Sequence, residues 1–242
     1  MLSDEIIKGV DDIMRIKHEI RRPDDIPDRT NVTFGDKACI INAYVLYCDM
    51  RNSTGLLNKY SPEDIAKILK PFHLISSKIV KFHIGELRSI NGDSLLAFFN
   101  TENALCDNAV EAAFAIKYYV GLLLGKKYGC ELDYGIGIDR GRIFIAKVGS
   151  PGEFNNDLIW IGEAVNQAAK FGNKAKGPNN IYITKVIFKL LSPKNKYSQN
   201  SPKEVPILFG IRQDLWKPAL GPPFLIPDIM YYYSSHQRPI KS

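Results

Sequence analysis

The sequence predicts an α+β fold with a ferredoxin-like βαββαβ core, a mixed or antiparallel sheet carrying helices on one face. Three observations carry that expectation. Between residues 40 and 191 the patterning runs strand, helix, strand pair, helix, strand pair, helix, strand and a last short helix. The strand pairs are punctuated by Gly92-Asp93 and by Asp139-Arg140-Gly141, turn sequences of the hairpin kind. The helical stretches between them are long and keep their apolar residues at helical spacing.

Taken in order, residues 4–21 read as an amphipathic helix. Ser3 caps it, Asp4 and Glu5 suit its positive end, and Ile6, Val10, Ile13, Met14 and Ile20 form one stripe. Pro23 stops it, and residues 23–28 form a linker or an extended arm. The stripe needs a partner surface, within the chain or in a dimer. Ile40–Cys48 is a buried strand running into Asp49 and the polar turn Arg51-Asn52-Ser53-Thr54. Ser61-Pro62-Glu63-Asp64 is a helix start, with a cap, a first-position Pro and acids in the first turn. That helix runs to about Phe82, with a kink expected near Pro71.

Glu86–Asn91 and Ser94–Phe99 form the first hairpin, and Asn103–Leu124 is a second long helix. Glu131–Ile138 and Arg142–Val148 read as a second hairpin. Then come strand Leu158–Ile161, helix Glu163–Ala175, strand Ile181–Thr184 and a short helix to about Leu191. The Pro-rich remainder holds one more strand, Val205–Phe209, and an exposed tail. Three regions result: helix and linker 1–37, core domain 38–192, and a C-terminal extension 193–242 that completes it.

Of the 242 residues 45% are hydrophobic and 24% charged, ample for a core in an ordinary soluble chain. A net charge of +6 suits an anionic ligand, but the lysines are scattered, so nucleic-acid binding is not expected. Cys39, Cys48, Cys106 and Cys130 form no CxxC pair and no zinc spacing with His, which points to a reduced, cytoplasmic setting. The N-terminal residues lack the layout of a signal peptide, and no apolar run reaches the roughly 18 residues of a membrane span.

Chemistry concentrates first at Tyr44–Thr54. A buried strand delivers the Asp49 carboxylate to its end, beside a small-residue turn with free backbone N–H groups. Such a pairing holds a metal-bound phosphate; the same Asp could instead cap the next helix. Three further stretches bear on the choice: Arg88-Ser89-Ile90-Asn91-Gly92-Asp93, Gly135-Ile136-Gly137-Ile138-Asp139-Arg140-Gly141-Arg142, and Ile159-Trp160-Ile161-Gly162-Glu163-Ala164-Val165-Asn166-Gln167-Ala168-Ala169-Lys170. His73 and His83 lie on an apolar helix and read as packing or surface groups.

In their order and spacing, over roughly residues 40–192, these stretches resemble the class III nucleotidyl cyclases, the adenylyl and guanylyl cyclase catalytic domains. The resemblance implies a homodimer with active sites at the interface, acting on a nucleoside triphosphate. It implies that Asp49, Asp93 and the carbonyl of Met50 hold two divalent cations, Mn2+ or Mg2+. The backbone at Asn52, Ser53 and Thr54 would cradle the β/γ-phosphates, and Arg142 sits where the family places a phosphate-binding Arg. Asn166 would orient the ribose and Lys170, one turn on, would face the α-phosphate, both from the opposite protomer. Lys170 stands where Arg is usual, a point charge in place of a fork, so positional control is weaker there.

The family reads its base with two side chains, at positions held here by Ser89 and Ile159, and neither purine pattern is present. Tyr47 points to the same side of its strand as Asp49 and narrows the base pocket. Arg88, one position from a reader, reaches a base carbonyl if the hairpin register slips, and Trp160 reads as core with its backbone at the base. The chain is similar in character to the pyrimidine cyclases of bacterial Pycsar antiphage systems, whose cyclic nucleotide activates a partner effector. UTP is preferred over CTP. The alternatives are an adenylate cyclase and a non-catalytic nucleotide-binding module.

Overall fold

A computed structural model describes residues 2–35, 37–102, 104–130, 132–150, 156–196, 216–220, 230–234, 236 and 238–240. Two long antiparallel strands organise them: β2 (Lys37–Met50) and β5 (Tyr134–Val148), paired from Ala38↔Ala146 to Met50↔Tyr134. Around them the sheet runs β3-β4-β2-β5-β7-β9-β8, with β3 (Glu86–Asn91), β4 (Ser94–Asn100), β7 (Ile181–Thr184), β8 (Lys217–Leu220) and β9 (Met230–Ser234). A short β1 (Glu19–Arg21) pairs in parallel with the start of β2, and β6 (Asp157–Ile161) pairs with the far half of β5.

β2 and the first part of β5 are buried on both faces, which is why β2 reads as a nearly unbroken apolar run. Tyr44, Leu46, Cys48 and Met50 enter one cluster, under α3 (Pro62–Phe82) and α4 (Cys106–Tyr119). Cys39, Ile41, Ala43 and Val45 enter the other, under α5 (Glu163–Lys174). Helices therefore cover both faces, not the single face expected. The cause is a row of glycines on β5: Gly135, Gly137 and Gly141 clear a bed for α5. A Cβ on Gly137 would fall 2.0 Å from the Ala168 carbonyl oxygen, and one on Gly141 would fall 3.0 Å from Ala164 Cβ.

The second hairpin does not exist. Residues 134–148 are one strand, because Asp139-Arg140-Gly141 lies opposite Ala43, Tyr44 and Val45 in mid-ladder. Asp139 is buried there and accepts a 2.6 Å hydrogen bond from Thr184 Oγ1. Burial pushes its carboxyl pKa up, against that hydrogen bond. The helix capped by Ser61 and the 86–100 hairpin form as the sequence predicts, with Ser61 Oγ accepting from the Asp64 N–H. The helix expected over 103–124 is α from Cys106 to Tyr119 and continues as a π-helix to Lys127.

At the N-terminus, α1 (Leu2–Arg15) ends sooner than the stripe suggested, since residues 19–21 are drawn into the open edge of β2. Its apolar side chains, Leu2, Ile6, Ile7, Val10, Ile13 and Met14, are all exposed, so packing among the described residues does not cover them. The linker is not loose: Ile26 and Val32 are buried in the cluster under α5. The tail is not simply exposed either. Trp216 is 1% exposed, its Nε1–H donates to the Asn195 carbonyl, and β9 pairs with β7. The expected strand Val205–Phe209 lies outside the described residues. Cys39, Cys48 and Cys106 are buried free thiols, and Cys130 is half-buried and free.

Candidate active site

The register brings the first two motifs together. Asp49 lies opposite Ser94 on β4 and Gly135 on β5, so the next residue, Met50, reaches the level of Asp93 just before β4 begins. The Arg51 N–H donates to the Asp133 carbonyl at 2.7 Å, which turns the odd residues of β2 toward β5 at this end. By the alternation of an antiparallel ladder, the Met50 carbonyl turns the other way, to the side of Asp93. Two carboxylates and a carbonyl thus converge at one strand end, a hard oxygen donor set. The Asp93 turn is held from below, where His73 Nε2–H on α3 donates to the Gly92 carbonyl at 3.0 Å. Gly92 has φ 62°, the left-handed region that a tight two-residue hairpin requires.

Burial raises the Asp49 pKa, the Asp93 charge raises it further, and the Arg51 guanidinium and the Met50 N–H oppose them. Like charges crowded without relief are what divalent cations neutralise, so the donor set fits such ions. Arg51 offsets part of the same repulsion. Its Nη1 lies 3.7 Å from Asp49 Oδ2, and its Nη2 donates to the carbonyls of Gly172 and Ala175 at the end of α5. Past it, Asn52 adopts φ 55° ahead of α2 (Ser53–Lys59), with its side chain over Gly55.

The other candidates occupy different places. Asn166 and Lys170 are exposed on the outward side of α5, whose inward side is Ala164, Ala168, Phe171 and Gly172. Arg142 is exposed on β5, seven residues of register from the level of Asp49, about 23 Å along the strands. Within one chain, none of these three joins the carboxylates. The Tyr47 ring lies against Gly172, where a Cβ would meet Cδ1 at 2.6 Å, on the same side as Asp49. Burial raises the Tyr47 pKa, with a hydrogen bond to Ser94 opposing.

Ser89 sits opposite Leu96, next to Tyr47 across β4. The register shifts between Leu87 and Ser89, so Arg88 is the extra residue of a β-bulge. It reaches Glu86 Oε2 at 3.1 Å and the Ile26 carbonyl at 2.9 Å, while its buried Nε finds no partner among the described residues. Trp160 stacks on Phe98, the register partner of Val45, with centroids 4.3 Å apart, and its Nε1 is likewise buried and unpaired among those residues. Ile159, between the inward Leu158 and Trp160, points to the opposite side of β6.

Residues 38–214 match the model of the adenylate and guanylate cyclase catalytic domain. The chain belongs to that family. It is 30% identical over 190 residues to a uridylate cyclase of Rhodovulum sp., covering 73% of this chain and 78% of the relative. Against a uridylate cyclase of Burkholderia cepacia it is 30% identical over 206 residues, covering 81% and 87%. Among solved structures, the adenylyl cyclase CyaB from P. aeruginosa superposes with a TM-score of 0.65 at 17% identity, covering 83% of this chain and 97% of that one. A rhodopsin-guanylyl cyclase core of converted specificity, in complex with ATPalphaS, gives 0.64 at 18%, covering 83% and 98%. These two establish the class III cyclase fold. The expected enzyme class, a nucleotide cyclase, therefore stands. Among the described residues no helix of this cyclase is long and apolar enough to cross a membrane.

Sequence reasoning missed Arg51, which it treated as part of a polar turn. The signal was its position, a cation between a strand-end carboxylate and the turn. It also read the glycines of β5 as hairpin residues, where their spacing of two and four marks one face of a strand.

Proposed function

We propose that this cyclase converts UTP to 3′,5′-cyclic UMP and pyrophosphate in a homodimer with two composite sites, CTP being the alternative substrate. The observation that carries the base is the pair at the reading positions, Ser89 and Ile159, neither of which can read a purine as the family does. The uridylate cyclase names of the relatives support it. Tyr47 narrows the pocket on the Asp49 side.

In the reaction the ribose 3′-oxygen forms a bond to the α-phosphorus, the bond to the β-phosphate oxygen breaks, and the hydroxyl proton passes to solvent. Asp49, Asp93 and the Met50 carbonyl would hold two divalent cations, Mn2+ or Mg2+, which would supply activation of the hydroxyl and neutralisation of the triphosphate. The backbone of Asn52, Ser53 and Thr54 receives the β/γ-phosphates. Asn166 orients the ribose and Lys170 offsets charge on the α-phosphate, both from the partner, which suits their exposure in the single chain. The phosphate role of Arg142 rests on the family resemblance. The biological setting we propose is a cytoplasmic bacterial antiphage system, the product activating an effector the cyclase itself does not touch.

The test is direct. The purified protein is incubated with Mn2+ and each of the four nucleoside triphosphates, and products are identified by mass. Cyclic UMP dominates on this reading; dominant cyclic AMP overturns the pyrimidine assignment, and no cyclic product from any nucleotide overturns catalysis.

A further inference from the structure

Arg51 stands between the two halves of the proposed machinery. One arm of its guanidinium faces Asp49 Oδ2 at 3.7 Å. The other donates to the Gly172 carbonyl and, at 2.8 Å, to the Ala175 carbonyl. Those carbonyls end α5, the helix that bears Asn166 and Lys170. A cation is favoured at a helix C-terminus, and a planar fork can serve a carboxylate and carbonyls at once. The neighbourhood leaves little slack. A Cβ on Gly135 would fall 2.5 Å from Arg51 Nη2 and 2.1 and 2.4 Å from the two carbonyl oxygens. The Arg51 and Asp49 side chains are only 21% and 19% exposed, so water screens their attraction weakly.

We propose that Arg51 is a positioning residue that couples the two active sites of the dimer. It ties the carboxylate of one site to the helix whose Asn166 and Lys170 serve the other. Cations held by Asp49 and Asp93 compete with the guanidinium for the same carboxylate charge. Loading one site thus turns Arg51 toward the α5 carbonyls alone and resets the helix presented to the partner. The inference rests on the composite-site reading above, and the experiment separates the two.

Asp93→Asn in one chain and Asn166→Ala in the other give, in doubly tagged heterodimers, a single working site. The Asn166→Ala chain supplies its carboxylates and the Asp93→Asn chain supplies its α5. Arg51→Met is then added to either chain. Placed on the chain that supplies only α5, it is expected to lower kcat about tenfold or more, since a helix shift of about 1 Å costs up to about 100-fold. An effect seen only on the carboxylate chain overturns the proposal and leaves Arg51 a local counterion. A heterodimer inactive before Arg51 is touched overturns the composite site instead.

A readout without turnover is hydrogen exchange of the metal-free homodimer at residues 172–176. Arg51→Met speeds it about tenfold, the effect of losing one charge-assisted contact. Arg51→Lys keeps a charge beside Asp49 without the fork. It is expected to hold the Mn2+ Kd within about twofold of wild type while exchange at 172–176 stays fast. Unchanged exchange in Arg51→Met also overturns the proposal.

Discussion

Gly137→Ala tests the bed on which α5 lies. The added methyl would sit 2.0 Å from the Ala168 carbonyl oxygen and 2.4 Å from the Gly172 nitrogen, where ordinary contact begins at 3.4 Å. Both neighbours are helix backbone, so no side-chain rotation relieves the clash and α5 must rise by about 1.4 Å, the difference between 3.4 and 2.0. Overpacking of this kind costs about 1–3 kcal/mol, and the upper end applies because Ala164, Ala168 and Phe171 leave the sheet with the helix. Asn166 and Lys170 ride on that helix, so kcat is expected to fall about 100-fold at a temperature where the variant is folded. Urea unfolding followed by circular dichroism reads the first quantity, and pyrophosphate release the second. Gly125→Ala is the control, since a Cβ there meets nothing within 4 Å; it should shift stability by less than about 1 kcal/mol. Wild-type stability and wild-type kcat in Gly137→Ala would refute the reasoning.

Two predictions concern charge. The Asp49 carboxyl titrates higher in the folded chain than in the unfolded one, chiefly through burial and the Asp93 charge. The folded state therefore holds that proton longer, and metal-free stability falls as pH rises through the window just above the ordinary Asp value near 3.8. Asp49→Asn is expected to melt higher than wild type at pH 7 without metal, yet to lose about two orders of magnitude in kcat; a lower melting temperature contradicts the electrostatic account. His236 packs edge-on against Phe114 at 4.7 Å, and burial, then the Arg238 and Lys117 charges, hold its pKa down to about 4. The unfolded chain takes up that proton near pH 6.5, so stability is lost as pH falls from 6.5 toward about 4. His236→Phe should therefore gain on wild type in unfolding free energy between pH 7 and pH 4.5, and an unchanged difference would contradict it.

What the sequence showed depended on whether a signal was local. Ser61-Pro62-Glu63-Asp64 contains its own cap, and the hairpin at Gly92-Asp93 contains its own turn, so both were legible. Asp139-Arg140-Gly141 carries equally good turn chemistry and is strand, because β2 offers thirteen residues of partner and Thr184 satisfies Asp139. That competition is tertiary and has no local mark. The family resemblance names Asp49, Asp93 and the Met50 carbonyl together, and what needed the register is the route by which Met50 reaches that corner. Arg88 was suspected of a shifted register, and the bulge is there, yet its tie to the Ile26 carbonyl depends on a linker that looked extended. Arg51 was marked only by its place beside the strand-end carboxylate, since its partners Gly172 and Ala175 lie more than a hundred positions away.

The glycines of β5 also bear on how the chain folds. Each glycine in a strand gives up about 0.5–1 kcal/mol relative to alanine through lost backbone entropy, so Gly135, Gly137 and Gly141 leave β5 about 2 kcal/mol poorer than an ordinary central strand. Part of that deficit is offset by α5, when it settles into the cleared groove. The strand that flanks β2 and the helix that bears Asn166 and Lys170 are thus expected to form together. Until residue 174 has been synthesised, the nascent chain exposes one flank of β2 to whatever else is nearby.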